Sequence, residues 1–206
     1  RIRLPSEGGV DRGLYDAVDS MMELAAEYLH VARAAWTRRL TALFSGHYAA
    51  VAGPGEVVEL TYESHLNAPG STLRALLDSA RRHDEIVRHT SVGPHRDDIA
   101  MTLDGMPMRR TGSQGQCKTF TIALRLAQYD FLREATGMRP LLLLDDIFDK
   151  LDATRVARIM ELVTSSPDFG QIFITDTNRK HLDEIMSRTG GEVRLWSVEE
   201  GSFTRQ

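Results

Sequence analysis

A run of four leucines followed by two aspartates places the strongest constraint on the fold of this chain. Residues 141–144 are all leucine, and Asp145 and Asp146 follow them directly. A parallel strand that crosses a hydrophobic core and reaches the surface at its carboxyl end has this pattern. Because open α/β sheets bind ligands at that edge, the sequence predicts an α/β fold whose functional site lies beside the two aspartates.

The segments around this strand alternate between helix and strand signals. Before it, apolar residues recur at the three- and four-residue spacing of a helix. They are Phe120, Ala123, Leu124, Ala127 and Phe131. After it, Asp152 is a candidate N-cap for a helix over 153–163. The predicted elements that follow are a strand over 171–174, a helix over 181–186 and a strand over 193–196.

The first 90 residues favour helices. A long amphipathic helix is predicted over 14–44, with breaks at Ser45-Gly46 and at Gly53-Pro54-Gly55. A strand is predicted over 57–62, and a second helix is predicted to begin after the candidate caps Ser71-Thr72. This part of the chain therefore reads as a helical segment that precedes the α/β alternation.

A turn and a hairpin are predicted between the helical segment and the central strand. Gly93-Pro94 marks the turn, and the alternating residues 99–103 end at Asp104-Gly105, which is a strong hairpin signal. The polar residues after the turn are His95, Arg96, Asp97 and Asp98. They form either a site or a hydrogen-bonded turn, and the sequence leaves both interpretations open.

Composition excludes several classes of protein. The chain has 206 residues, of which 42% are hydrophobic and 26% charged. These values are typical of a globular domain. No apolar run approaches the roughly 20 residues of a membrane span, and a single cysteine, Cys117, excludes an internal disulfide framework. We expect a cytoplasmic protein. A chain that begins with Arg1 rather than methionine is expected to be a fragment or a processed product.

The net charge of −4 gives no general reason to expect nucleic acid as a partner. Any contact with DNA would need a local basic patch. The candidate residues are arginines on the two predicted helices, namely Arg33, Arg38, Arg39, Arg81 and Arg82. A solvated helix face, internally paired on the second helix, explains the same pattern and is the favoured interpretation. The sequence does not select which of these arginines would contact DNA.

Residues 112–119 have two competing interpretations. Gly112, Lys118 and Thr119 match the phosphate-loop pattern G-x-x-x-x-G-K-[ST], but Cys117 stands where that pattern needs glycine. A phosphate loop also follows a buried strand, whereas residues 106–110 do not read as one. A degenerate phosphate loop is therefore the weaker of the two interpretations.

In the stronger interpretation, this segment resembles the signature motif of ATP-binding-cassette (ABC) ATPases. The matching residues are Ser113, Gln114, Gly115 and Gln116. In such proteins the serine, free backbone N–H groups and the positive end of the next helix reach the γ-phosphate of ATP held by the opposite subunit. The resemblance then places Asp145 at the Walker B position as a Mg²⁺ ligand, and Asp146 at the position of the catalytic glutamate.

Two further segments continue this resemblance. Lys150-Leu-Asp152 stands at the D-loop, where Asp152 would serve both the loop and the cap of the following helix. Thr175, Asp176 and Thr177 stand at the switch position, where cassette ATPases usually carry a histidine that senses the γ-phosphate. Asp176 replaces that histidine, so the resemblance leaves sensing to Thr175 or Thr177.

Three motifs, in this order and spacing, resemble the RecF family of bacterial recombinational DNA repair. They are Gly93-Pro-His-Arg-Asp-Asp98, residues 112–116 and residues 142–152. The family belongs to the ABC-type ATPases and is related to chromosome-maintenance (SMC) and Rad50-type proteins. The resemblance implies the C-terminal part of an ABC-type P-loop NTPase head, which lacks the Walker A lobe. It assigns 1–90 to helical lobe II, or arm, and 91–206 to the lobe with the signature, Walker B and D-loop.

The resemblance also implies a function. It is an ATP- and Mg²⁺-dependent protein of DNA repair, recombination, replication restart and the SOS response, which binds DNA at single-strand to double-strand junctions and gaps. ATP held between two subunits would close a homodimer and be hydrolysed slowly, and mediator proteins would help to load recombinase. Without the Walker A lobe this chain is expected to be inactive alone. The alternatives are an SMC- or Rad50-like scaffold head and a metal-dependent hydrolase built on Asp145, Asp146, Asp149 and Asp152.

Overall fold

A computed structural model of the chain describes residues 12–146, 148–177, 182–183 and 192–206. The chain divides into two compact units: residues up to 42 with 59–102, and residues 43–58 with 103–206. The helices and strands, in chain order, are α1 (Arg12–Ala52), β1 (Val58–Glu63), α2 (Leu73–Val87), β2 (Asp98–Leu103), β3 (Met106–Pro107), α3 (Met108–Thr111), α4 (Gln114–Thr136), β4 (Leu142–Asp145), α5 (Ala153–Ser165), β5 (Ile172–Thr175), β6 (Trp196–Glu199) and β7 (Ser202–Arg205).

Helix α1 does not end where the sequence predicts. It continues through Ser45-Gly46 and ends at Ala52, before Gly53, whose φ is +89°. Glycine within a helix costs about 1 kcal/mol relative to alanine. Burial outweighs that cost here, because the side chains of Phe44, Tyr48 and Val51 are all 0% exposed. The predicted break was therefore wrong: tertiary packing overrides the local propensity of one glycine.

The first unit has a small core between its helices. Ala26, Leu73 and Leu77 are buried together, and partly buried hydrophobic side chains pack against them, namely Met22, Leu66 and Val92. Thr72 caps α2 as predicted, because its side chain accepts a hydrogen bond from the backbone N–H of Ala75. Helix α2 ends at Val87, and its C-cap residue Arg88 has a left-handed backbone conformation. None of the helices in the described part of the chain combines the length and apolar composition needed to span a bilayer.

The second unit is organised around the parallel pair of strands β4 and β5. Leu142 pairs with Ile172, and Asp145 pairs with Thr175, so both strands end at one edge. The core on one side of this pair contains residues from α1, α4 and α5 as well as the strands. Its buried members are Val51, Ile122, Leu126, Tyr129, Leu142, Leu144, Phe148, Val156, Ile159, Met160, Val163 and Phe169.

The four-leucine strand is buried on one face only. Leu142 and Leu144 face the core, whereas Leu143 is 70% exposed and its neighbour Phe173 on β5 is 48% exposed. The prediction of a strand surrounded by core was wrong for these residues. In the described part of the chain this sheet has two strands, and helices pack against only one of its faces.

The C-terminal strand is displaced from its predicted position. The sequence predicted a strand over 193–196, but β6 begins at Trp196 and pairs antiparallel with β7. Glu200 and Gly201 join the two strands, and both have positive φ, at 48° and 78°. Tight hairpin turns favour this combination, so the turn rather than the apolar pattern decides the register. The helix predicted over 181–186 lies outside the described residues, except for positions 182 and 183.

Candidate functional site

The segment that resembles a signature motif forms the N-terminal turn of α4. Ser113 is the N-cap: its side chain accepts a hydrogen bond from the N–H of Gln116 at 3.3 Å. In return, the Gln116 side chain accepts one from the N–H of Ser113 at 2.9 Å. This capping box satisfies two backbone groups that helix starts leave open. Ser113 and Gln114 are exposed, so the positive end of a 23-residue helix faces outward.

The carboxyl ends of β4 and β5 bring together Asp145, Asp146 and Thr175. Thr175 donates a short hydrogen bond from its hydroxyl to the Asp145 carboxylate. The backbone N–H of Asp146 donates to the Thr175 carbonyl at 3.2 Å. Asp146 has a φ of +45°, which is unusual for a residue with a side chain. The site predicted at this edge therefore has a defined backbone geometry.

Lys118 connects α4 to this edge, a contact that the sequence analysis did not predict. Its ammonium group donates a hydrogen bond to the carbonyl of Asp146 at 2.9 Å. The carbonyl and the N–H of Asp146 are thus both held, by Lys118 on one side and by Thr175 on the other. No rule of residue spacing predicts that a lysine one turn into this helix contacts Asp146.

The same contacts argue against the phosphate-loop interpretation of residues 112–119. Lys118 and Thr119 lie inside α4 rather than after a loop. Thr119 is 0% exposed, and its hydroxyl donates to the carbonyl of Gly115 at 2.9 Å. A phosphate loop needs free backbone N–H groups and a free lysine around the phosphates. Here the N–H groups of Gln116 and Cys117 are bonded to Ser113, and the Lys118 ammonium group donates to the carbonyl of Asp146.

The D-loop candidate begins α5. Asp152 caps this helix by accepting a hydrogen bond from the N–H of Arg155 at 2.9 Å. Lys150, two residues earlier, has a φ of +65°. A Cβ atom built on Gly115 would lie 3.4 Å from the carbonyl oxygen of Lys150 and 3.1 Å from Nη1 of Arg155. The signature turn therefore packs closely against the D-loop segment, and glycine at 115 makes room for that contact.

The carboxyl ends of β4 and β5, with Asp145, Asp146 and Thr175, form an acidic edge. Its residues could hold a magnesium ion that is shared with a phosphate ligand. Mg²⁺ keeps several waters and usually takes one or two protein oxygens together with substrate phosphates. Asp145, an exposed carboxylate next to the Thr175 hydroxyl, offers such a ligand set. Among the described residues, no three His, Cys, Asp or Glu side chains converge on a point. The four carboxylates of the hydrolase alternative, Asp145, Asp146, Asp149 and Asp152, do not form such a group.

The three candidates for the switch position lie at the end of β5. Thr175 ends the strand and contacts Asp145 directly. Asp176 follows it and is half-buried, and Thr177 is exposed. A sensing role for any of the three stays a prediction.

The Gly93-Pro-His-Arg-Asp-Asp98 motif belongs to the first unit, where it forms a hydrogen-bonded turn. Arg33 donates to the carbonyl of Pro94 and to the Asp97 carboxylate, both at 2.6 Å. The Tyr62 hydroxyl donates to the same carboxylate oxygen at 2.6 Å. Burial alone would raise the pKa of Asp97, but hydrogen bonds from Tyr62, Ser64 and Arg33 outweigh it, so the pKa is lowered. Of the two interpretations that the sequence left open, the structure supports the turn.

This cluster predicts a pH-dependent contribution of Asp97 to stability. Its pKa is lowered on folding. The stabilisation is therefore complete above the unfolded pKa of about 3.9 and is lost as the pH falls through the folded value. We expect Asp97→Asn to lower the free energy of unfolding by roughly 1–3 kcal/mol at pH 7. In urea titrations its difference from the wild type should shrink below about pH 4. A difference that stays constant down to pH 3 would contradict this.

Asp98 provides the matched control for that experiment. It is the exposed neighbour of Asp97, and its carboxylate accepts a hydrogen bond from the N–H of Ile99 in its own strand. Asp98→Asn should change the free energy of unfolding by no more than about 0.5 kcal/mol at either pH.

Arg33 and Arg81, which were considered for DNA contact, are in ion pairs. Arg33 pairs with Asp97, and Arg81 pairs with Asp78 at 2.7 Å. The second pair confirms the i,i+3 neutralisation expected for α2. A role in DNA contact stays a prediction for Arg33, Arg38, Arg39, Arg81 and Arg82.

Solved structures of known proteins show the class of fold to which this chain belongs. The fold is that of an ABC-type ATPase head. A structure of SMC ATPases covers 85% of the chain with a TM-score of 0.53 at 15% identity, which shows the shared fold. A structure of the recombination mediator protein RecF with ATP, of the RecFOR pathway, covers 97% of the chain with a TM-score of 0.75 at 25% identity.

The sequence relatives are RecF proteins. The RecF DNA replication and repair protein of Bacteroides fragilis strain YCH46 is 43% identical over 200 residues, or 97% of this chain. That of Porphyromonas gingivalis strain W83 is 43% identical over 193 residues. The chain is homologous to RecF and corresponds to its C-terminal part. It spans about half the length of these relatives, 53% and 52%. No protein-family model matches the sequence.

Proposed function

We propose that this chain supplies one half of a shared ATP site in a RecF-type DNA repair ATPase. The observation that carries the proposal is the exposed, doubly capped signature turn at residues 113–116, on the same helix whose Lys118 holds the backbone of Asp146. Helix N-termini with free N–H groups bind phosphate. The turn would therefore contact the γ-phosphate of an ATP molecule that is held by the Walker A lobe of an opposite subunit.

The acidic edge would serve the ATP bound by its own subunit. Asp145 would coordinate Mg²⁺, which neutralises charge on the β- and γ-phosphates when it is bound. Asp146 would orient the attacking water. Aspartate is one methylene shorter than the usual glutamate, and the backbone of Asp146 is held by Lys118 and Thr175, so we expect slow turnover. An assembled enzyme whose rate is unchanged by Asp146→Asn would remove this role.

We extend the same proposal to the whole protein, supported by the similarity to RecF. The complete protein would form an ATP-dependent homodimer that binds gapped DNA at single-strand to double-strand junctions. It would act in the cytoplasm with mediator proteins that load recombinase. The candidate DNA contacts among the helix arginines are testable: replacing a true phosphate contact lowers the salt dependence of DNA affinity, and a variant with an unchanged salt slope is not a contact.

Isothermal titration calorimetry with Mg-ATP tests the shared-site proposal directly. We expect negligible heat with this chain alone, because a signature turn without a Walker A lobe contacts only the terminal phosphate. We expect ATP-dependent dimerisation once the chain is fused to the N-terminal half of the Bacteroides fragilis relative. Analytical ultracentrifugation with and without ATP measures that second result.

Lys118→Ala is the informative variant in the calorimetry. If the isolated chain binds ATP tightly and Lys118→Ala abolishes binding, residues 112–119 act as a phosphate loop and the shared-site proposal is wrong. If the fusion stays monomeric with ATP, the proposal also fails.

A further inference from the structure

Glu56 occupies a position that joins three elements of the second unit. It follows the turn that ends α1, and its side chain is 23% exposed. Its carboxylate accepts a short hydrogen bond from the hydroxyl of Tyr48 on α1. It also accepts from Nε2 of Gln116 on α4 at 3.0 Å and from Nη2 of Arg155 on α5 at 3.4 Å. A half-buried carboxylate with three donors from three helices is strongly fixed in place.

The contact with Gln116 orients the signature turn. A carboxylate only accepts hydrogen bonds, so Gln116 must point its NH₂ group at Glu56. The amide oxygen of the same side chain then faces the N–H of Ser113, which it binds at 2.9 Å. Glu56 therefore selects the one orientation of Gln116 that completes the capping box around Ser113.

The contact with Arg155 reaches the D-loop. Nε of Arg155 lies 3.7 Å from the carboxylate of Asp152. The same carboxylate also accepts a hydrogen bond from the backbone N–H of Arg155. The guanidinium also lies against Gly115, within 3.1 Å of a Cβ built there. Arg155 thus sits between the signature turn and the D-loop residue, with Glu56 as its second anionic partner.

The remaining contact anchors this arrangement in the core. Tyr48 is 0% exposed. Burial raises its pKa above the usual range, and the hydrogen bond to Glu56 adds to that rise. Leaving a buried hydroxyl without its partner is costly, so Tyr48 holds the Glu56 carboxylate where Gln116 and Arg155 meet it.

We infer that Glu56 is a positioning residue that couples the signature turn to the D-loop. It acts through Gln116 on Ser113 and through Arg155 on Asp152, so that the two segments keep one relative geometry. This inference rests on the proposed function for its role in ATP-dependent assembly. The coupling itself is a property of the chain alone.

Amide hydrogen exchange on the chain with Glu56→Gln tests the coupling. The variant keeps the shape of the side chain but removes the charge and one acceptor oxygen. We expect exchange at Ser113, Gln116 and Arg155 to accelerate about tenfold or more relative to Leu126 in the middle of α4. Glu161→Gln, which removes an exposed carboxylate from α5, should leave all four amides unchanged.

Two results would overturn the inference. One is unchanged exchange at Ser113 and Arg155 in Glu56→Gln. The other is equal acceleration throughout α4, which would mean that Glu56 contributes only to global stability. In the fusion with the N-terminal half of the Bacteroides fragilis relative, Glu56→Gln should weaken ATP-dependent dimerisation about tenfold. If the wild-type fusion does not dimerise, the proposed function fails, whereas the exchange rates still decide the role of Glu56.

Discussion

Replacing Ser113 with arginine should abolish ATP-dependent dimerisation of the fused protein. Ser113 is the exposed N-cap of α4, and the proposal places a γ-phosphate against it. Arginine fills that space and removes the cap. Because hydrogen bonds to a charged group contribute about 1.5–3 kcal/mol each, losing the contacts of this turn should weaken assembly by roughly 100-fold or more. Sedimentation velocity with ATP and with ADP measures the change.

Two further variants separate binding from folding in that experiment. Ser113→Thr keeps a hydroxyl and a capping side chain, so assembly should persist. Ser113→Asp caps the helix as well as serine does but places a negative charge opposite the phosphate, so assembly should be lost while the urea midpoint is retained. Dimerisation of Ser113→Asp at the wild-type ATP concentration would contradict the placement of the γ-phosphate at this turn.

Replacing Phe44 with alanine should lower the free energy of unfolding by about 3–5 kcal/mol. The Phe44 side chain is 0% exposed, and its ring centroid lies 4.5 Å from that of Phe120 and 6.1 Å from that of Tyr48. Alanine leaves a cavity at the centre of this aromatic cluster. Urea denaturation followed by circular dichroism measures the loss.

Two substitutions on the same helix serve as controls. Met21 is 78% exposed, so Met21→Ala should change the free energy of unfolding by no more than about 0.5 kcal/mol. Nothing lies within 4 Å of a Cβ built on Gly46. Gly46→Ala should therefore stabilise a continuous helix by about 0.5–1 kcal/mol. A helix that breaks at Ser45-Gly46 would show neither the large loss at Phe44 nor the gain at Gly46.

The sequence predicted most elements of the candidate site, because local chemistry decides them. Asp152 and Thr72 are strong capping residues and do cap their helices. The run of four leucines followed by two aspartates predicted a strand that ends at the site, and β4 does end at Asp145. The functional roles of these residues stay predictions. The position of the signature motif, shortly before the strand in the sequence, predicts the signature turn.

The errors and omissions concern contacts between residues far apart in sequence. The continuation of α1 past Ser45-Gly46 depends on the burial of Tyr48 and Val51. Lys118 meets Asp146 over 28 positions, and Glu56 meets Gln116 over 60 and Arg155 over 99. No local pattern encodes such pairs.

The sequence by itself therefore determines most of the helices, caps and strand ends, since these depend on side chains within one or two turns of each other. Which groups face one another at the site was settled by packing. The two-stranded sheet and helices α1, α4 and α5 bring the carbonyl of Asp146 to the ammonium group of Lys118. They also place Glu56 between the signature turn and the D-loop. The physical reason is that burying Val51, Leu126 and Ile159 together outweighs local preferences and fixes distances that the sequence alone leaves free.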